Sequence, residues 1–306
     1  MNPISRRNFL KTSLQTSVAF PSLGFLGNVA QAIEPIKRTG AARFRVSLVA
    51  YSFRNSFNAK DAVKKIDLFQ FIDFAAENNF DAVEITQYYF PKEVTTDYLI
   101  KLRRHAFLRG VAISGSGVGN NFALPKGEKL DEQIRKVKKG IDYAAILGAP
   151  YVRVFSGAVK DLDLAEAQKS CVAALEECAE YAGQKGIFLG LENDQGMTTT
   201  VEGTLALIKA ANSKWLGSNL DTGNFHATED VYGDLVKLAP YAINVHFKTQ
   251  IHPKGKEPQP MDIARIFKIL RDVNYQGYVA VEYEAKEDPF TAIPVFVKKL
   301  RETMAS

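Results

Sequence analysis

The sequence predicts an α/β protein whose fold is a single (β/α)8 barrel, the TIM barrel. From residue 45 onward, short apolar runs alternate with amphipathic helical stripes, which is typical of a parallel sheet flanked by helices. Four of the later apolar runs end on residues that can bind a metal ion: Glu192, Asp221, His246 and Glu282. Their spacings of 29, 25 and 36 residues each match about one βα unit, since ~250 residues over eight units gives roughly 31.

Eight strands and eight helices account for the chain after residue 44. Apolar runs bounded by glycine or polar turns predict strands over 45–52, 81–85, 111–114, 151–155, 186–193, 216–221, 242–246 and 278–283. Helical stripes predict helices over 62–78, 96–109, 130–147, 164–184, 201–211, 231–238, 263–273 and 290–301. Gly110 and Gly148 are expected to end the second and third helices, and Pro240 the sixth. The segment 249–260 contains three prolines and is predicted to form a flap on the substrate side.

The N-terminal segment has the features of an export signal. The pair Arg6-Arg7 is followed by a mildly apolar stretch and by the small-x-small pattern Ala30-Gln31-Ala32. This pattern resembles the twin-arginine signal, so we expect the twin-arginine export machinery as a partner, cleavage after Ala32 and a periplasmic location. The alternative is an ordinary basic amphipathic N-terminus. The predicted domains are a signal peptide over 1–32, a linker over 33–43 and a catalytic barrel over 44–306.

Composition and charge exclude several classes of partner. The chain is 46% hydrophobic and 24% charged, as expected of a globular protein. Its formal charge is +5, and removal of the positive charges on Arg6, Arg7 and Lys11 would leave +2, so the basic charge argues little for nucleic acid and no nucleic-acid partner is expected. After the N-terminal segment no run reaches the ~18 apolar residues of a membrane span, so no stable membrane anchor is expected. No P-loop or dinucleotide-binding glycine pattern follows the first predicted strand.

The four strand-end residues predict a site for one divalent metal ion. The carboxyl ends of all strands open on one face of a parallel barrel, so these side chains should converge there. Three carboxylates and one imidazole suit Mn, Mg, Co or Zn. Taken singly, each carboxylate would be interpreted as a cap for the next helix and the histidine as a hydrogen-bonded polar group. Four in succession favour the metal site.

These strand ends resemble those of the xylose isomerase-like superfamily. More narrowly, they are similar to the sugar (phosphate) isomerases and epimerases, a group that contains the ketose 3-epimerases. The resemblance covers about residues 44–304 and rests on Gly-Leu-Glu-Asn at 190–193, Leu-Asp-Thr-Gly-Asn at 220–224, Val-His-Phe-Lys at 245–248 and Val-Glu-Tyr-Glu at 281–284. It implies that the four ligands hold one divalent ion and that Glu192 and Glu282 are acid/base catalysts on opposite faces of a ketose. Asn224 stands where these epimerases commonly have a histidine.

The function expected from this resemblance is that of a metal-dependent sugar isomerase or epimerase. A metal that chelates a sugar carbonyl and the neighbouring hydroxyl stabilises an enediolate, and a nearby carboxylate then suffices as base for the proton alpha to the carbonyl. The same enediolate could expel a leaving group, so the alternative is a lyase or hydrolase on 3-keto-glycosides, or a sugar dehydratase. A non-catalytic sugar-binding barrel is a third hypothesis, which the intact ligand set disfavours. The expected partner is a small sugar or keto-sugar, and a homo-oligomer is compatible with the sequence.

Six further residues are predicted to contact the substrate at the barrel mouth. Period-two alternation places Lys248 on the same strand face as His246, and Glu284 on the same face as Glu282. Lys248 could alternatively form a salt bridge on the barrel rim. The predicted substrate-binding residues are Glu84, Asn193, Asn224, Lys248, His252 and Glu284.

Overall fold

The computed structural model describes residues 33–61, 63–160 and 162–305. The strands are β1 (Arg43–Val49), β2 (Ala82–Thr86), β3 (Ala112–Gly117), β4 (Tyr151–Val154), β5 (Phe188–Glu192), β6 (Leu216–Asp221), β7 (Ala242–Phe247), β8 (Gln250–Ile251), β9 (Gln259–Pro260) and β10 (Gln276–Val281). The helices are α1 (Arg54–Phe57), α2 (Leu68–Glu77), α3 (Thr96–Leu108), α4 (Glu128–Leu147), α5 (Leu164–Gly183), α6 (Val201–Ala211), α7 (Val231–Leu238), α8 (Ile263–Asp272) and α9 (Pro289–Ala305).

Eight of the strands close into a barrel. Their hydrogen-bonded order is β1-β10-β7-β6-β5-β4-β3-β2, and every barrel pairing is parallel. This confirms the predicted (β/α)8 barrel. The short strands β8 and β9 pair with each other, antiparallel and outside the barrel. Since all eight barrel strands run in one direction, their carboxyl ends form a single mouth.

Helix α2 shows how a capping residue determines the start of an element. The Asp67 carboxylate accepts a hydrogen bond from the Gln70 backbone amide at 2.9 Å, and the Gln70 side chain accepts one from the Asp67 backbone at 3.0 Å. Because of this capping box the helix begins at Leu68, so the predicted start at residue 62 was too early. The side chains of Phe71 and Ile72 are fully buried, and each such burial stabilises the fold by roughly 1.5–3 kcal/mol.

Other boundaries also differ from the sequence prediction, most of all at the ends of β1 and β3. Strand β1 ends at Val49 rather than residue 52, because the chain turns into a short 3-10 helix that leads into α1. Strand β3 continues through Gly117, because Ser116 and Gly117 pair with β4 instead of entering a loop. The predicted flap over 249–260 contains the β8–β9 pair.

The segment before the barrel is hydrogen-bonded to the start of β7. The Ile36 backbone amide donates to Pro240 O at 3.0 Å, and the Arg38 guanidinium donates to Ala242 O. Strand β1 begins at Arg43, which is the last residue of the linker predicted over 33–43. The predicted signal peptide over 1–32 lies outside the described residues. Among the helices described, none is both long enough and apolar enough to cross a membrane.

Candidate active site

Neighbouring strand ends place four metal-capable side chains at the barrel mouth. Glu192 and Asp221 are the last residues of β5 and β6, and His246 is the penultimate residue of β7. Glu282 directly follows β10, and its backbone amide donates to the carbonyl of the last β7 residue at 3.1 Å. One ligand atom from each of the four residues lies within 4.8 Å of the others. The structure therefore brings the four predicted ligands together.

His246 lies at the centre of this cluster and uses both ring nitrogens. Its Nδ1 lies 2.8 Å from Glu192 Oε1, 3.5 Å from Glu282 Oε2 and 4.0 Å from Asp221 Oδ2. Its Nε2 donates a hydrogen bond to Glu84 Oε2 at 2.9 Å. The Glu84 carboxylate thus holds the imidazole so that Nδ1 faces the three acidic residues.

The polar groups of the cluster fit a divalent cation. Asp221 Oδ2 is buried and accepts no hydrogen bond from the described residues, and the Lys248 ammonium 3.3 Å away offsets the free-energy cost of its burial only in part. Burial raises the pKa of Asp221 well above its usual value, and the carboxylates of Glu192 and Glu282 add to this effect. A divalent ion would relieve both costs, because carboxylate oxygens and an imidazole nitrogen are the ligands that such ions prefer.

Each candidate catalytic carboxylate is paired with a buried cation. Arg153 Nε lies 3.1 Å from Glu192 Oε2, and Lys248 Nζ lies 2.5 Å from Glu282 Oε2. All four of these residues are exposed by 7% or less. Burial alone would raise the pKa of Glu282, but Lys248 and His246 outweigh burial and hold that pKa well below its usual range. Glu282 is therefore favoured in the ionised form that a general base requires.

Lys248 is held by several carboxylates at once. Its Nζ lies 3.3 Å from Asp221 Oδ2 and also contacts Glu284 Oε2. Burial would lower the pKa of Lys248, but the carboxylates of Asp221, Glu282 and Glu284 outweigh burial and raise it well above its usual value. The ammonium therefore remains charged next to the candidate metal ligands.

A cavity of about 290 Å³, which we call the inner cavity, opens onto these groups. Its lining includes the aromatic side chains of Tyr51, Tyr88 and Phe155 and the charged side chains of Glu192, Lys248 and Glu282. Aromatic walls combined with a few convergent polar groups are typical of small-molecule sites. The inner cavity is therefore the place where a substrate would meet both candidate catalytic carboxylates.

The sequence matches the family model of the xylose isomerase-like TIM barrel over residues 72–302, which is well over half of the chain. The protein belongs to this family. The predicted resemblance to the superfamily is thereby confirmed. No curated protein matches the sequence significantly.

Several solved structures of sugar epimerases share the fold of this family member. A D-psicose 3-epimerase with D-tagatose from Clostridium cellulolyticum H10 matches with a TM-score of 0.70 at 14% identity, covering 85% of this chain and 99% of that one. An L-ribulose 3-epimerase matches with a TM-score of 0.68 at 17% identity, covering 86% and 96%. A 3-keto-D-glucoside 4-epimerase from E. coli matches with a TM-score of 0.64 at 16% identity, covering 85% and 99%. At sequence identities this low, the structural similarity shows that the fold is shared.

Four of the six predicted substrate contacts lie at the mouth of this xylose isomerase-like barrel. Asn224, Lys248 and Glu284 line the inner cavity. His252 lines an adjoining cavity together with the same three residues. Their positions are compatible with the predicted contacts to a substrate.

The structure places the other two, Glu84 and Asn193, beneath the site, which corrects their predicted contact with the substrate. Both are fully buried. Glu84 accepts hydrogen bonds from His246 and from the Tyr151 hydroxyl. The Asn193 side chain donates to Asp221 O and accepts from Asp221 N, each at 2.9 Å. Both residues thus orient candidate metal ligands instead of facing the cavity.

Arg153 and Asp194 also line the inner cavity, although they were not predicted as functional. Arg153 lies inside a strand, so the sequence pattern favours a structural ion pair, but its partner is the candidate catalyst Glu192 and its guanidinium also donates to the Tyr88 hydroxyl at 2.9 Å. Asp194 follows the end of β5 by two residues. Burial, followed by the nearby Glu192 carboxylate, raises the pKa of Asp194 to about 6. Its position just after a ligand-bearing strand was the only sequence signal for it.

Proposed function

We propose that this protein is a divalent-metal-dependent sugar epimerase or isomerase that transfers a proton alpha to a carbonyl through an enediolate. The observation that carries the proposal is that Glu192 and Glu282 belong to the candidate metal cluster and also line the inner cavity. Two carboxylates at one substrate site allow one to remove a proton and the other to return it on the opposite face. That exchange inverts a carbon next to the carbonyl.

Different residues of the site have different roles in the proposed reaction. Glu192, Asp221, His246 and Glu282 would hold the ion, which when bound supplies Lewis-acid polarisation of the carbonyl. Glu282, kept ionised by Lys248, takes or returns the proton on one side of the substrate. Glu192, oriented by Arg153 and Asn219, does so on the other side.

Lys248 has a second role in the proposed reaction, as a hydrogen-bond donor to the substrate. Its ammonium is charged and buried at the edge of the inner cavity, so it can donate a hydrogen bond to an oxygen that gains negative charge. The family membership and the shared fold with sugar epimerases support a sugar as the substrate. No observation favours the alternative of a lyase or hydrolase on 3-keto-glycosides.

The reaction is tested by incubating Mn²⁺-loaded protein with a panel of free ketohexoses in deuterated water and following the sugars by NMR. We expect an epimer or isomer to form and deuterium to appear on the carbon next to the carbonyl. Chelator-treated protein should show neither. A sugar that turns over without deuterium in product or recovered substrate would contradict the enediolate and favour direct attack by a metal-activated water.

A further inference from the structure

A second cavity, of about 350 Å³, adjoins the inner cavity, and we call it the outer cavity. The two share three lining residues, Asn224, Lys248 and Glu284. The candidate bases Glu192 and Glu282 line only the inner cavity. A group bound in the outer cavity would therefore be continuous with the substrate but out of reach of the chemistry.

We propose that the outer cavity binds a second, non-reacting sugar unit, so that the preferred substrate is a glycosylated keto-sugar rather than a free monosaccharide. This inference rests on the proposed function of the inner cavity. Ligand sites commonly have volumes of ~300–1,000 Å³. The inner cavity, at about 290 Å³, falls just below that range, whereas the two cavities together lie well inside it. Binding energy from a remote unit can be used to orient the reacting one.

The outer cavity is rich in neutral hydrogen-bonding groups. The rings of His226 and His252 contact each other with centroids 5.1 Å apart, and Thr249 and Gln250 add a hydroxyl and an amide. Burial, followed by the neighbouring His252, lowers the pKa of His226, so this imidazole is uncharged near neutral pH. A neutral imidazole has one donor and one acceptor nitrogen, as an amide has both donor and acceptor groups. Such groups match the hydroxyls of a sugar.

The cations of the outer cavity are already engaged, which disfavours a phosphate. The Arg54 guanidinium donates to Tyr283 O at 3.2 Å and to Glu284 O at 3.3 Å. Lys248 lies between the carboxylates of Glu282 and Glu284. The Glu284 carboxylate lines the same cavity and would repel an anion. A neutral sugar unit therefore fits this lining better than the phosphate of a sugar phosphate.

Three ligands with the same ketose carbonyl separate these cases: D-fructose, its glucosylated form isomaltulose, and fructose 6-phosphate. Dissociation constants for the Mn²⁺-loaded protein are measured by titration calorimetry. We expect isomaltulose to bind about tenfold or more tightly than D-fructose. Tighter binding of fructose 6-phosphate than of isomaltulose would overturn the inference in favour of an anion site, and so would failure of isomaltulose to bind.

A cavity-filling variant tests whether the second sugar unit binds in the outer cavity. His226→Trp places a bulky ring in the outer cavity, whereas Glu229→Trp adds the same ring to an exposed position of the same loop that lines neither cavity. We expect His226→Trp to weaken isomaltulose binding about tenfold and D-fructose binding less than twofold, and Glu229→Trp to change neither. Equal effects of His226→Trp on both sugars would overturn the outer site.

Deuterium exchange separates this inference from the proposed function. If isomaltulose binds and His226→Trp weakens it, but neither ketose gains deuterium, the outer site stands and the proposed reaction fails. If both ketoses gain deuterium equally in the wild type and in His226→Trp, the reaction stands and the outer site fails.

Discussion

Glu84 accepts a hydrogen bond from Nε2 of His246 at 2.9 Å, with both side chains fully buried. The Tyr151 hydroxyl donates to the same carboxylate oxygen of Glu84. This chain of three side chains approaches the candidate metal site from inside the barrel and holds the imidazole with Nδ1 towards the other ligands. Partners of this kind that lie behind a metal ligand typically change metal affinity by ~10–100-fold.

Tyr151→Phe should weaken Mn²⁺ binding by about tenfold, because Glu84 loses one of the two groups that orient it. Tyr275→Phe is the matched control: Tyr275 is also buried, but its hydroxyl donates to Tyr278 O at 2.7 Å instead of to a carboxylate of the cluster. Calorimetric Mn²⁺ titrations of both variants make the comparison. Equal losses of affinity in the two variants would mean that Tyr151 acts only through general stability.

The wild-type protein should bind close to one equivalent of a divalent ion, and His246→Ala should lose most of that binding. Metal at 100 times its dissociation constant should stabilise the wild type by about 2.7 kcal/mol and raise its Tm. His105→Ala is a suitable control, because His105 pairs with Asp73 outside the cluster, at 2.8 Å. Elemental analysis and thermal unfolding with and without Mn²⁺ measure the effect. Unchanged metal content in His246→Ala would refute the assignment.

Glu192→Gln and Glu282→Gln should each reduce turnover by ~10²–10⁴-fold, because each keeps an oxygen but loses the base. Glu202→Gln, an exposed change on α6, should leave turnover unaffected. Rates come from NMR time courses on proteins whose metal content and folding have been checked. Wild-type turnover in either active-site variant would remove that carboxylate from the proton transfer.

Asp194 makes the free energy of unfolding depend on pH. Its folded pKa of about 6 lies above the ordinary value of 3.8, so folding favours the protonated carboxyl. The resulting stabilisation is complete below about pH 3.8 and is lost as the pH rises through about 6. Asp194→Asn should therefore raise the Tm of chelator-treated protein at pH 8 and change it little near pH 4. The same Tm difference at both pH values would exclude this cause.

Replacing both Arg6 and Arg7 with lysine should leave full-length protein in the cytoplasm, because the twin-arginine pathway requires the arginine pair. The wild type should be found in the periplasm with Ile33 as its first residue. Cell fractionation and N-terminal mass spectrometry make both measurements, with Lys11→Arg as a control that keeps the pair. Export and processing of the double variant would show that the signal is of another kind.

The ligands of the candidate metal site were readable from the sequence because each stands at the end of a short apolar run. Strands β5 and β6 end at Glu192 and Asp221, as the pattern indicated. Strand number and direction then followed from the alternation with helices. Parallel strands share one mouth, and this alone was sufficient to predict that the four side chains converge.

The role of Glu84 was not readable in this way. The pairing of β2 with β3 shifts register between Val83 and Glu84, and β3 carries Ser114 as an extra residue at that point. A period-two pattern assumes unbroken pairing, so it carries no information about such a shift. Close packing also matters. A Cβ atom at position 115 would lie 2.1 Å from the Tyr151 ring, so the glycine there leaves room for that ring beside Glu84.

The sequence by itself determined the barrel, the ends of β5 and β6 and the four candidate ligands, because local apolar runs and their spacing encode them. Only the tertiary structure decided that Glu84 lies behind His246, that Arg153 pairs with Glu192, and that a second cavity adjoins the first. Glu84 on β2 and His246 on β7 belong to strands that are not neighbours in the sheet. Their contact crosses the interior of the closed barrel, and no local pattern along either strand specifies which side chains meet there.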